Sequence, residues 1–285
     1  MRVLIGYDAS RGSRDAVELG RWLAAGEGGE ALLLDVLAHP GPLPVAYYIL
    51  GYEEAPWAEE FFRQPASVLA PLEVRWRTYT GGSPAHVLTD VAGAEGFELI
   101  VVGSPHRGAV GRALLGSVAQ GVLHGAPVPV AVAPRGFADE RHPAPRRIGV
   151  ACDGSPEAAV ALAQAEALAR RHGAALELLT VATGSPIAPG LVGFRLDPIP
   201  TPDEALAESL AAVGSGVEAS GRELHGGSVA AALAAAAEDL DLLVVGSRGY
   251  GFFARVMVGS VSSELIQAAP CPVLVTPRPE DKAGG

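Results

Sequence analysis

Apolar residues in this chain come in short unbroken bursts. RVLIGY, ALLLDVL, LIVVG and PVAVA appear in the first half, and RIGVAC, LELLTVA, LLVVG and PVLVT in the second. Runs of this kind suit strands covered by helices on both faces, as in a parallel sheet. A fifth segment in each series, LEVRWRTY and VEASGREL, is more polar and alternating, which places it at a sheet edge. Between bursts the spacing becomes helical. Ala158, Ala161, Leu162, Ala165, Leu168 and Ala169 fall on one stripe. Ser155 supplies an N-cap, followed by Pro156 at the first helical position. Arg170, Arg171 and His172 suit the negative end of the helix dipole, and Gly173 stops the helix. Strands alternating with such helices predict right-handed βαβ units, hence an α/β fold with a parallel sheet.

The pattern is written twice. VLIGYDASRGSRDAVELG resembles IGVACDGSPEAAVALAQ, with Asp8 and Asp153 in equivalent places 145 residues apart. LIVVGSPHRGAVGRALLGSVAQGVL resembles LLVVGSRGYGFFARVMVGSVSSELI, with Gly103 matching Gly246 and Gly116-Ser117 matching Gly259-Ser260, each 143 residues on. APVPVAVAP resembles APCPVLVTP at the same offset. Three blocks in one order at a domain-sized period indicate two tandem copies of one domain. The expected division is a first domain over 1–138, a polar Pro-bearing linker over 139–146, a second domain over 147–278 and a tail over 279–285. The copies diverge most after their second strands, in Pro-rich stretches. Tyr47, Tyr48, Tyr52 and Trp57 lie in the first of these. They read either as a helix and loop packed over their own domain or as a lid or partner surface.

Charge narrows the partners. There are 21 basic and 32 acidic residues, a formal net charge of −11, which argues against nucleic acid and against an anionic membrane surface. No run approaches the ~18 apolar residues of a membrane span. The opening MRVLIGYD reaches an acid too soon for a signal peptide. Cys152 and Cys271 form no CxxC pair and read as small packed residues. A cytoplasmic location is expected.

The remaining question is why a strand should exit through GSRGYGFFARVMVGS, from Gly246 to Ser260. In an open parallel sheet, ligands bind beyond the carboxyl ends of the strands, where the strand order reverses. If the first and fourth strands are neighbours, the acid after the first and the glycines after the fourth face one crevice. Gly246 permits close approach of a ligand, and Gly249 and Gly251 permit positive φ, so that successive N–H groups cradle an anion. Gly259-Ser260 opens a helix whose free N–H groups favour phosphate, with Arg248 and Arg255 as added cations. A carboxylate repels phosphate but accepts from an amine or a ribose hydroxyl. An acceptor wall opposite a donor wall suits a nucleotide. Taken alone, the same residues also serve as a tight turn and a helix cap.

Gly246-x2-Gly249-x9-Gly259-Ser260, with the opening strand ending in an acid, the VVGS strand end, the GSV helix start and APCPVLV, resembles the nucleotide-binding signature of the universal stress protein family over nearly the whole chain. The resemblance implies two tandem doubly wound domains, each a five-stranded parallel sheet of order 3-2-1-4-5, paired through their last strands. It also implies binding of ATP, or of ADP or AMP, with Mg2+ held by the phosphates. Carried over, Asp153 meets the adenine, Val181 flanks base or ribose, and Gly246, Gly249, Gly259, Ser260 and Val261 hold ribose and phosphates. In the first copy the matching residues are Asp8, Val36, Gly103, His106, Gly116, Ser117 and Val118. His106 replaces the second glycine of the signature, where its side chain either crowds the phosphates or donates to them. The resemblance further implies a stress-response role through a regulatory partner, and further pairing of chains stays open.

Other chemistries lack their residues. The one lysine, Lys282, is too near the C-terminus for a GxxxxGK[ST] loop, and no GxGxxG, GxSxG or HExxH occurs. His106 is the one candidate to activate water at a γ-phosphate, so no catalytic residue is assigned and fast hydrolysis is not expected. A slow ATPase or nucleotidyl-transfer enzyme, and a nucleotide-free interaction module, are the competing readings.

Overall fold

The computed structural model describes residues 1–26, 28–37, 56–104, 116–182, 200–247 and 260–278, apart from the side chains of Pro56, Trp57 and Ser260. His106, Gly249, Gly259, Gly251, Arg248, Arg255, the tyrosines at 47, 48 and 52 and the tail over 279–285 lie outside the described residues.

The chain divides into two compact units, Met1–Ala144 and Pro145–Gly285. The first runs β1 (Arg2–Gly6), α1 (Arg11–Ala24), β2 (Glu30–Leu37), α2 (Pro56–Leu69), β3 (Glu73–Thr80), α3 (Pro84–Glu95), β4 (Leu99–Gly103), α4 (Ser117–Gly125) and β5 (Val130–Ala133). Its strands are all parallel, in the order β3-β2-β1-β4-β5. The second runs β6 (Arg147–Ala151), α5 (Pro156–His172), β7 (Ala175–Ala182), α6 (Pro202–Ala212), β8 (Ala219–His225), α7 (Val229–Ala236), β9 (Leu242–Gly246), α8 (Ser260–Ala268) and β10 (Val273–Thr276). It repeats the order as β8-β7-β6-β9-β10, again all parallel. Each unit is thus a five-stranded doubly wound α/β sheet.

Burial explains the bursts. Val3, Leu4 and Ile5 of β1, and Leu99, Ile100 and Val101 of β4, have no solvent exposure. Helices cover both faces. A Cβ on Gly20 of α1 would meet Ile5 Cδ1 at 2.5 Å, whereas a Cβ on the next strand residue, Gly6, would point to Leu88 of α3. Adjacent strand residues face opposite ways, so α1 and α3 lie on opposite faces. The stripe expected on α5 is the buried one, Ser155 caps that helix by accepting from Ala158 N, and Gly173 ends it at φ 68°.

Polar β3 stands at the end of its sheet. Its exposed residue Trp76 stacks on Phe62 of α2, with ring centroids 6.1 Å apart. Arg75 pairs with Glu30 and Arg77 with Glu95, and charges of this kind discourage edge pairing. In parallel register Asp35 on β2 stands beside Thr78 on β3. In the second unit Thr180 on β7 stands beside Glu223 on β8.

After β5 the chain folds back on α1. The buried Asp15 carboxylate accepts from Gly136 N at 3.1 Å and Ala138 N at 2.9 Å. Trp22 Nε1 donates to the Pro143 carbonyl at 2.5 Å, and its ring meets Phe137 edge-on. No helix among the described residues is long and apolar enough to cross a membrane.

Candidate functional site

In the first unit β1 pairs with β2 on one side and β4 on the other, Val3 standing beside both Ala31 and Leu99. The chain winds away from β1 in opposite directions, and this reversal opens a crevice at the carboxyl ends. The crevice holds about 410 Å³ and is lined by Asp8, Val36, Gly103, Gly116, Ser117 and Val118. These are the first-half residues that the family resemblance places in the nucleotide signature, apart from His106. A volume of this size lies within the usual range for small-molecule sites.

Asp8 follows β1 on an exposed turn. Its Oδ1 accepts from Ser10 N at 3.0 Å. Burial pushes its pKa up, but hydrogen bonds from the Ser10 and Ser13 hydroxyls and the Ser10 backbone outweigh that and hold it below the usual carboxylate range. Ser10 also N-caps α1, accepting from Ser13 N at 3.2 Å. Between them, Ala9 is held at φ 59°, a left-handed conformation that costs a non-glycine residue about 1–2 kcal/mol.

Across the crevice Gly116 precedes α4 with extended backbone, and no side chain caps the helix. The N–H groups of its first turn belong to Ser117, Val118 and Ala119, all of which line the crevice. They and the dipole form a donor wall. The glycine ending β4 has a reason other than ligand approach. A Cβ on Gly103 would fall 1.9 Å from the Gly12 carbonyl oxygen, so packing against α1 itself demands glycine.

The pattern of the sequence does not single out Asp35. It lines the crevice one residue before Val36 and is only 5 % exposed. Burial pushes its carboxyl up to about 6, the Val36 N–H opposes this, and the Asp8 charge adds to it. The available signal was an acid inside the burst ALLLDVL. Tyr7, before Asp8, packs edge-on against Phe61 with centroids 5.2 Å apart. Burial raises its phenol pKa, Arg14 opposes that and Asp8 adds to it.

The second unit repeats the geometry where it is described. Asp153 Oδ1 accepts from Ser155 N at 3.0 Å. Gly154, the counterpart of Ala9, sits at φ 76°. Val181 lies near the end of β7, and Gly246 ends β9, where a Cβ would meet the Glu157 carbonyl carbon and oxygen at 2.9 Å. Ser262 Oγ donates to the Gly246 carbonyl at 3.4 Å. Ser260 and Val261 open α8. Among the described residues no cluster of three or more His, Cys, Asp or Glu could hold a metal ion.

A family model described as "Universal stress protein family" matches residues 1–134 and again 145–277. A universal stress protein of Mycobacterium tuberculosis is 29 % identical over 97 % of this chain and 100 % of its own length. One from Mycolicibacterium smegmatis is 34 % identical over 68 % of this chain and 65 % of its own. The crystal structure of a universal stress protein from Archaeoglobus fulgidus superposes with a TM-score of 0.71 at 26 % identity, covering 98 % of both chains.

Proposed function

We propose that this chain, which belongs to the universal stress protein family, binds an adenine nucleotide in each of its halves and acts as a nucleotide-dependent regulatory protein without fast catalysis. The observation that carries the reading is the convergence of Asp8, Val36, Gly103 and the start of α4 on one crevice at the topological switch point. An acceptor wall and a donor wall face the same space. Asp8, held ionised, accepts from an amine or hydroxyl of the nucleoside. The uncapped start of α4 and the Ser117 hydroxyl receive phosphate oxygens. Mg2+, where it accompanies the nucleotide, is held chiefly by the phosphates. In the second half Asp153, Val181, Gly246, Gly249, Gly259, Ser260 and Val261 take the same roles, supported by the repeated turn at Asp153. Occupancy favours one arrangement of the surrounding loops and alters binding of a regulatory partner in a stress response.

Mass spectrometry of small molecules released from undialysed protein, followed by ATP titration, tests this. Two adenine nucleotides per chain are expected. Gly249→Trp should remove one, and Asp8→Ala should weaken the other about tenfold or more, the scale of one lost charged hydrogen bond. Protein that carries no nucleotide and takes up none at millimolar ATP would overturn the reading.

A further inference from the structure

The two halves differ in charge at a buried polar position beside the proposed base. Asp35 precedes Val36 on β2, and its counterpart Thr180 precedes Val181 on β7. Asp35 is 5 % exposed and Thr180 is 1 % exposed. Among the described residues the Thr180 hydroxyl has no hydrogen-bond partner, and Asp35 has only the N–H of Val36. Asp35 also lines the first crevice together with Asp8. From β3 the buried Thr78 hydroxyl stands beside it in register, likewise without a partner among the described residues. Directly after β1 comes Tyr7, which is itself acted on by Arg14 of α1 and by Asp8. Asp8 is the one charge acting on Asp35 among the described residues. A buried acid with so little to bind, at a cavity wall, awaits a hydrogen-bond donor.

We propose that Asp35 is a base-selecting residue that faces position 6 of the purine and makes the first crevice prefer 6-amino-purines over 6-oxo-purines, a selectivity that Thr180 does not confer on the second. The inference rests on the adenine-nucleotide reading and goes beyond it. An ionised carboxylate can only accept, so set against the C6 substituent it welcomes the 6-amine and repels the lone pairs of a 6-oxo oxygen. A threonine hydroxyl accepts from the one or donates to the other. Asp8 and Asp153 are common to both halves and cannot distinguish them. Tyr7 and Ser13 of the lining give way to Cys152 and Ala158, but neither change adds or removes a carboxylate, whereas the exchange of Asp35 for Thr180 does. It is also linked to a proton. Once protonated, Asp35 gains an O–H that donates to an oxo group, and the preference relaxes.

ATP and ITP titrations of the full chain test this, because the two ligands carry the same triphosphate and differ at the base. At pH 7.5 wild type should show two binding steps, one favouring ATP over ITP about tenfold more than the other, equivalent to about 1.4 kcal/mol. Asp35→Asn keeps the shape but adds an N–H donor, and should abolish or reverse that preference. Thr180→Asp should raise the ratio at the other step. Lowering the pH to 5 should shrink the wild-type ratio and leave that of Asp35→Asn unchanged. Equal loss of ATP and ITP in Asp35→Asn, with the ratio intact, would mean that Asp35 only supports the fold, and overturns the inference while leaving the nucleotide reading standing. Absence of binding by either nucleotide to wild type overturns both.

Discussion

Gly103 at the end of β4 and Gly12 in the first turn of α1 meet backbone to backbone, leaving no room for a Cβ between them. In the second half the same contact joins Gly246 to Glu157 with more space. A Cβ at Gly246 would lie 2.9 Å from the nearest backbone atom, against 1.9 Å at Gly103. Neither clash can be relieved by rotating a side chain. Gly103→Ala should cost about 3 kcal/mol or more, and Gly246→Ala about 1–2 kcal/mol, read as a larger fall in Tm for the first variant. Equal stability of the two variants would contradict the contact.

Ala9 and Gly154 occupy one left-handed position in the two β–α turns, at φ 59° and 76°. Ala9→Gly should stabilise the protein by about 0.5–1 kcal/mol, the relieved strain being partly offset by the freer unfolded chain. Gly154→Ala should destabilise by about 1–3 kcal/mol, since its Cβ would also lie 2.4 Å from Pro200 Cγ. Denaturant midpoints of the two variants should move in opposite directions.

Asp35 carries a stability cost that depends on pH. Its folded pKa of about 6 lies above the ordinary value of 3.8. Stability from the neutral form is therefore fully present below the ordinary value and is lost as pH rises through the folded one. Asp35→Asn should be more stable than wild type at pH 7.5 by up to about 3 kcal/mol, and nearly equal to it near pH 4. The difference in Tm between the two proteins across this range isolates the effect from other titrating groups.

Both cysteines should be inert in the native protein. Burial pushes the Cys152 thiol up to about 11 and the Cys271 thiol up to about 12. Since the thiolate is the reacting species, iodoacetamide at pH 7.5 should label neither until denaturant is added, after which it should label both. Native labelling of either would place that thiol outside the core.

The α/β class, the duplication and the parallel strands were legible because each rests on local pattern: apolar bursts, a helical stripe with its cap and stop, and three repeated blocks. The strand order came from the family resemblance. That Asp8, Gly103, Gly116 and Ser117 meet at one crevice was legible from residue type and position at strand ends, whereas Val36 and Val118 came from the family resemblance. What stayed hidden depends on contacts between distant residues. The demand for glycine at 103 comes from Gly12, and the docking of Pro143 comes from Trp22. Asp35 stayed hidden because one acid in an apolar strand leaves the strand pattern unchanged.

The rung joining Asp35 to Thr78, set against that joining Thr180 to Glu223, shows an acid and a hydroxyl that have traded strands between the halves. Copies of one domain thus differ on both strands of this rung. Recombination that moved one of these strands into the other half would set carboxyl against carboxyl or leave two alcohols facing each other. A strand of one half is therefore not a ready replacement for its counterpart in the other.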